Sequence, residues 1–211
     1  GMFKSTKSFN QNLSKWNVVN VTTMKEMFSG AVVFNEGISD WNLTNVLTME
    51  EMFSETEVFN QDITNLDVSN VTDMSGLFRA AKLFNQDLGN WDVENVEKMD
   101  YMFDDSALSN ENYDKILIGW STLNLKSRVT LGANKSLYCS SKYARNSIYH
   151  KFRWTFNDEG DSCPFIPFES IWNTSETGVT ATNQIRIPVF PEATYDYDIE
   201  WGDGTYNLNV T

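Results

Sequence analysis

The chain has 211 residues, of which 41% are hydrophobic, 14% aromatic and 21% charged, enough apolar side chains to bury a core over most of the length and to exclude wholesale disorder. With 16 Lys plus Arg against 29 Asp plus Glu the formal charge is −13, a field that repels phosphate backbones and argues against nucleic acid as a partner. One His and two Cys are too few for a His/Cys zinc cluster, and no apolar run approaches the roughly 18 residues of a membrane span.

From its N-terminus the sequence repeats every 25 residues, and a fixed period decides architecture before local propensity does. Phe9-Asn10-Gln11 recurs as Phe34-Asn35-Glu36, Phe59-Asn60-Gln61 and Phe84-Asn85-Gln86. Trp16, Trp41, Leu66 and Trp91 keep step, as do Asn20, Asn45, Asn70 and Asn95. Each unit then closes on Met24, Met49, Met74 or Met99, followed three and four residues later by Met27-Phe28, Met52-Phe53, Leu77-Phe78 or Met102-Phe103. Subtracting one period from Met27-Phe28 lands on Met2-Phe3, so the sequence is expected to start inside a repeat of a longer protein, with Gly1 an added residue and any signal or anchor lying outside.

Within a unit, Trp91-Asp92-Val93 alternates like a short strand, whereas Met99, Met102 and Phe103 occupy i, i+3 and i+4, one face of a helical turn. A strand, a turn and a short helix cannot bury their apolar face alone, so neighbouring units are expected to stack through parallel pairing, with the aligned Asn residues pointing inward and bonding the backbone of the next coil. The Trp and Val columns share strand parity and point inward; a sugar-stacking ladder of Trp16, Trp41 and Trp91 is the other reading.

These units resemble the BspA-like leucine-rich-repeat proteins of bacterial surfaces, in the elements Phe-Asn-Gln-Asp, Trp-Asp-Val and Met-x-x-Met-Phe. Asn12, Glu36-Gly37, Leu66 and Leu77 depart from that pattern. The resemblance implies an α/β repeat solenoid over residues 1–104, leucine-rich-repeat-like, with short parallel strands and short helices. It extends over 105–165 as a helical C-terminal cap. There Tyr113, Ile116, Leu117 and Trp120 form one helical face entered from Ser109, Val129 and Leu131 suggest a strand, and a second helix carries Ala144, Ile148 and Phe152 ahead of an apolar strand at 154–156. All four Pro residues follow position 163, marking a boundary before a third module at 166–211. Its strand-like segments and Trp201-Gly-Asp-Gly-Thr205 resemble a polycystic-kidney-disease-type or immunoglobulin-like surface domain, a small β-sandwich-like tail without its last two strands.

Outward positions of the repeat are Asn17, Asn42, Asp67 and Asp92, then Thr44, Ser69 and Glu94, a polar strip that reads either as a ligand-binding face or as solvated filler. The resemblance and the surface setting it implies favour a disulfide between Cys139 and Cys163, with two buried thiols as the alternative. Residues 157–161 and 201–204 have the Asp and Gly density of calcium loops without the full twelve-residue pattern, so plain turns are preferred and no metal is assigned. No catalytic motif and no cofactor signature occurs, and the carboxylates are spread at the repeat spacing rather than gathered. The function expected from the resemblance is therefore a non-enzymatic, extracellular cell-surface adhesion module offering an acidic solenoid face to a host or matrix protein or glycan. A structural spacer is the alternative, and a glycan-degrading accessory module comes third.

Overall fold

The computed structural model describes residues 1–163 and the short strands Ile199–Glu200 and Tyr206–Asn207. The chain divides into two compact units, Gly1–Phe165 and Ile166–Thr211.

Residues 1–109 contain turns and isolated bridges but no helix or extended strand. Parallel bridges link Thr23 to Thr48, Thr48 to Asp73 and Asp73 to Lys98, so successive 25-residue units lie one upon another. The short helix expected at Met24, Met27 and Phe28 is instead a ribbon of overlapping turns. Met27, Ser29 and Ala31 donate their N–H groups back three residues to Met24, Glu26 and Phe28. In alternation, the N–H groups of Met24, Glu26, Phe28 and Gly30 donate to the carbonyls of Thr48, Glu50, Met52 and Ser54 in the next coil at 2.8–2.9 Å. Lys25 completes the account by donating to Thr23 Oγ1. A helix begun here would leave its first four N–H groups without an internal partner and turn the rest back on itself, whereas the ribbon satisfies every donor and also joins the coils. Its alternation requires left-handed backbone at Glu26, Glu51, Gly76 and Tyr101, with φ between 52° and 61°, a conformation that non-glycine residues adopt reluctantly and that the stack imposes at each level.

Two columns of phenyl rings fill the interior. Phe28, Phe53 and Phe78 stack on Phe34, Phe59 and Phe84 of their own coils with centroids 3.7–3.9 Å apart, and rings of successive coils follow at 5.6–6.0 Å. All six are completely buried, and the coil-to-coil pairs, at the separation of offset aromatic stacks, add about 0.5–1.5 kcal/mol each beyond the burial of area. Trp41 and Trp91 are buried beside them, and each indole N–H donates 3.0 Å to a carbonyl of the preceding coil, Leu13 or Ile63. Trp16, in the first coil, is 39% exposed, so the inward column is incomplete at that end.

At the other end the stack is continued by different elements. Helix α1, Asn110–Trp120, is capped by the Ser109 hydroxyl and buries Tyr113, Ile116, Leu117 and Trp120. Trp120 takes over the repeat's indole bond, donating to Leu88 O at 3.0 Å. The helix can come this close because position 119 is glycine: a Cβ there would sit 2.1 Å from Gly89 O. Strand β1, Thr130–Tyr138, lies against the last ribbon through the Met99–Leu131 bridge and a bond from Phe103 N–H to Gly132 O. Helix α2, Lys142–Phe152, then crosses over to strand β2, Thr155–Asp161, which pairs parallel with β1. The cap is thus a helix followed by a βαβ unit, stapled by a disulfide between Cys139 and Cys163.

In the second unit, β3 (Ile199–Glu200) pairs antiparallel with β4 (Tyr206–Asn207). The other strands expected there, and the 201–205 turn, lie outside the described residues.

Candidate interaction surface

Each predicted outward residue sits on a turn, not on a strand face. Asn17, Asn42, Asp67 and Asp92 are exposed, and the Oδ1 of each accepts the N–H of the residue two further on, Val19, Thr44, Ser69 or Glu94, at 3.0–3.1 Å. The Thr44 and Ser69 hydroxyls donate to the same oxygens at 2.6 Å. These side-chain to backbone bonds compete with strand pairing, which is why the alternating pattern makes a turn here. One oxygen of each side chain is thereby fixed and the turn repeats in register up the stack. The Asn residues of the next position are exposed rather than inward, and Asn45, Asn70 and Asn95 donate back to the preceding coil, to Val19, Thr44 and Ser69 carbonyls.

Electrostatics follow from these bonds. The Ser69 hydroxyl and N–H hold the Asp67 carboxyl below the usual carboxylate range, and Thr64 does the same for Asp62. Glu94 faces the cap, its carboxylate accepting the Asn124 N–H at 2.8 Å. A shallow groove of about 590 Å³ next to the strip is lined by Asn20, Thr22, Thr44, Asn45, Leu47 and Asn70. Thr44 alone belongs to both the predicted strip and this groove.

A second acidic surface escaped the sequence reading. The ribbon turns carry Glu26, Glu50, Glu51, Glu55, Asp100, Asp104 and Asp105 outward or half-outward, with Lys4 paired to Glu26, Lys25 to Glu50 and Lys98 to Asp73. Burial works to raise the Asp73 carboxyl, but the Ser75 N–H and hydroxyl and the Lys98 ammonium outweigh it and leave it lowered. Burial prevails at Asp104, which is raised. These acids were readable as a column at the repeat period; assigning the segment to a helix concealed which of them share a face.

Among the described residues, no group of three or more His, Cys, Asp or Glu is placed to hold a metal ion. The acids of 157–161, considered for calcium, lie in β2, where Asp158 accepts a two-pronged bond from Arg145 and another from Tyr113, and Asp161 pairs with Lys142. His150 is exposed on α2.

Residues 1–122, covering the four repeats and α1, match the model of a family described as Mycoplasma protein of unknown function, DUF285. The chain belongs to that family. Its DUF285 match ends just after Trp120, the residue that takes over the indole bond of the repeats. Together with the 25-residue period, the match makes this a bacterial repeat protein. Neither the curated proteins nor the solved structures contain a match to the chain.

Proposed function

We propose that this chain is a BspA-like, leucine-rich-repeat-type solenoid acting as a non-enzymatic binding module at the bacterial cell surface, with the acidic face of its repeats directed at a host or matrix protein or glycan. The observation that carries the reading is the row of Asn17, Asn42, Asp67 and Asp92, exposed and locked in register by identical turns. Side chains held in place before a partner arrives lose little conformational freedom on binding. The Cys139–Cys163 bond supports an extracellular setting, since cytosolic thiols are generally kept reduced. One observation favours a structural spacer instead: the Oδ1 atoms of the row are explained by turn formation alone.

The two readings separate on Asp67→Asn, Asp92→Asn and Glu94→Gln combined. The amides keep an oxygen for each turn, so stability should stay within about 0.5 kcal/mol of wild type, as for most surface changes. Affinity for a matrix protein or mucin glycan retained by the wild-type chain should fall, and the weakening with rising salt seen for wild type should be smaller in the variant. Unchanged affinity in the triple variant would transfer the role to a spacer.

A further inference from the structure

The cap carries a surface of opposite sign. Residues 1–105 hold 7 basic and 17 acidic residues, whereas 106–168 hold 8 and 5. Most acids of the cap are already engaged: Glu111 by Lys115, Asp158 by Arg145, Asp161 by Lys142, and Asp114 by backbone and hydroxyl donors of residues 139–141. Lys135 is paired with Asp105. The cations left over, Lys126, Arg128, Lys151 and Arg153, are all exposed, and none forms an ion pair among the described residues.

Their backbone positions are neighbours because two segments are bonded side by side. Arg128 N–H donates to Phe152 O at 2.8 Å, the Trp154 indole donates to Lys126 O at 2.7 Å, and Thr155 N–H donates to Val129 O at 2.9 Å. Arg128 and Arg153 both have left-handed backbone, φ 65° and 60°, at the two turns that form this corner. Among the described residues, the carboxylate bonded to the neighbouring loop is that of Glu94, whose Oε1 accepts the Asn124 N–H.

We propose that this corner of the cap, Lys126, Arg128, Lys151 and Arg153, is a docking surface for a flexible, linear sulfated polysaccharide. The charge distribution selects the ligand. A chain one sugar wide can lay successive sulfates on the four cations while its remainder turns away from the acidic repeats. A DNA duplex or an anionic bilayer is broad and stiff and would bring phosphates against a molecule of net charge −13. The exposed rings beside the corner, Tyr149 and His150, sit edge to face at one end of it, while Trp154 is buried and half-buried Phe152 lies 5.8 Å from Lys151 Nζ, so the bases of a single strand find no platform of rings along its length. This surface is separate from the acidic strip and does not depend on the role assigned to that strip.

The test is a titration of the full chain with fluorescently labelled dextran sulfate, alongside unsulfated dextran, a DNA duplex and phosphatidylserine vesicles. Dextran sulfate should bind and unsulfated dextran should not, with affinity falling about tenfold or more between roughly 50 and 200 mM salt. Combining Lys126→Gln, Arg128→Gln, Lys151→Gln and Arg153→Gln should weaken binding at least about tenfold, while Arg79→Gln with Lys82→Gln, exposed cations of the repeats, should leave it unchanged. Should the fourfold variant melt early, Lys126→Gln with Lys151→Gln alone should still give a several-fold loss, since neither side chain is a bonded partner in the fold. Absence of dextran sulfate binding, equal losses in the cap and repeat variants, or tighter binding to duplex or vesicles would overturn the assignment. The triple acid variant of the repeats should bind dextran sulfate no more weakly than wild type, so a failure of either surface is visible independently of the other.

Discussion

Asp114 is a carboxylate only 7% exposed that nonetheless belongs to no ion pair among the described residues. From α1 it reaches the turn ahead of α2, where the N–H groups of Cys139, Ser140 and Ser141 and both serine hydroxyls donate to it. Ser141, at the N-cap of α2, makes no cap bond with its own side chain, so Asp114 supplies the negative end from another element. Desolvation would raise this carboxyl, but the Ser141, Cys139 and Ser140 donors together hold it below the usual range. A carboxyl depressed in the folded state contributes stability above its unfolded pKa, about 3.9, and loses that contribution as pH falls through the folded value. Asp114→Asn should therefore be less stable than wild type near neutrality by about 1.5–3 kcal/mol, the scale of hydrogen bonds to a charged group. The gap should narrow in urea titrations below about pH 4; no gap at neutrality would show that the nest contributes nothing, and a gap unchanged down to pH 2 would show that the carboxylate charge is not its source. Trp120 offers a larger effect without pH dependence. Replacing this completely buried indole by Ala removes its bond to Leu88 O and uncovers the last coil, a loss of about 3–5 kcal/mol. Thermal melting with light scattering should show an earlier, aggregating transition.

At the scale of the element, the coil is the unit that can be added or removed. Side-chain ladders reinforce the ribbon bonds: Asn35, Asn60 and Asn85 each donate a backbone N–H to the Asn Oδ1 of the coil before, and Ser109 of the cap joins by donating its N–H to Asn85 Oδ1. Because each level contacts its neighbours through the same partners, removing residues 59–83 should leave a cooperatively folded, shorter stack, whereas removing twelve residues should break the register and unfold it. Circular dichroism and melting distinguish the two; equal stability of both deletions would refute the stacking scheme. The period was legible in the sequence because each buried column must repeat one residue type per coil: Phe28, Phe53 and Phe78 recur since ring stacks on ring. Local conformation was not legible, because apolar residues at i, i+3 and i+4 line one side of a turn ribbon as well as of a helix, and only the neighbour's carbonyls decide between them. Likewise, Asn17 and Asp92 could be placed outward by parity, but their capture by their own turns needed the backbone. The basic corner was beyond sequence altogether, since Lys126 and Lys151 are brought together by a strand register set on the far side of α2.

Across the molecule, charge is sorted by module, net −10 over residues 1–105, +3 over 106–168 and −6 over 169–211. Such segregation matters most at low salt, where fields extend over tens of ångströms. Within the first unit, sorting by charge accompanies a second ordering, that of direction. The bonds that join coils lie between adjacent levels, the ribbon donating forward from Met24 to Thr48, Met49 to Asp73 and Met74 to Lys98 and the Asn and Trp side chains donating back. Tension applied between the first coil and the cap therefore pulls along these bonds, and levels should come away one after another rather than together. Each detachment frees 25 residues, about 80–90 Å of extended chain. In single-molecule stretching the repeats should thus pay out in equal increments of that length, and a single rip spanning the whole unit would show the levels yielding as one body. Residues between Cys139 and Cys163 are shorted by the disulfide and should lengthen the trace only after reduction. A chain built this way behaves under load as a spool, lengthening by whole turns while the turns not yet released keep their shape.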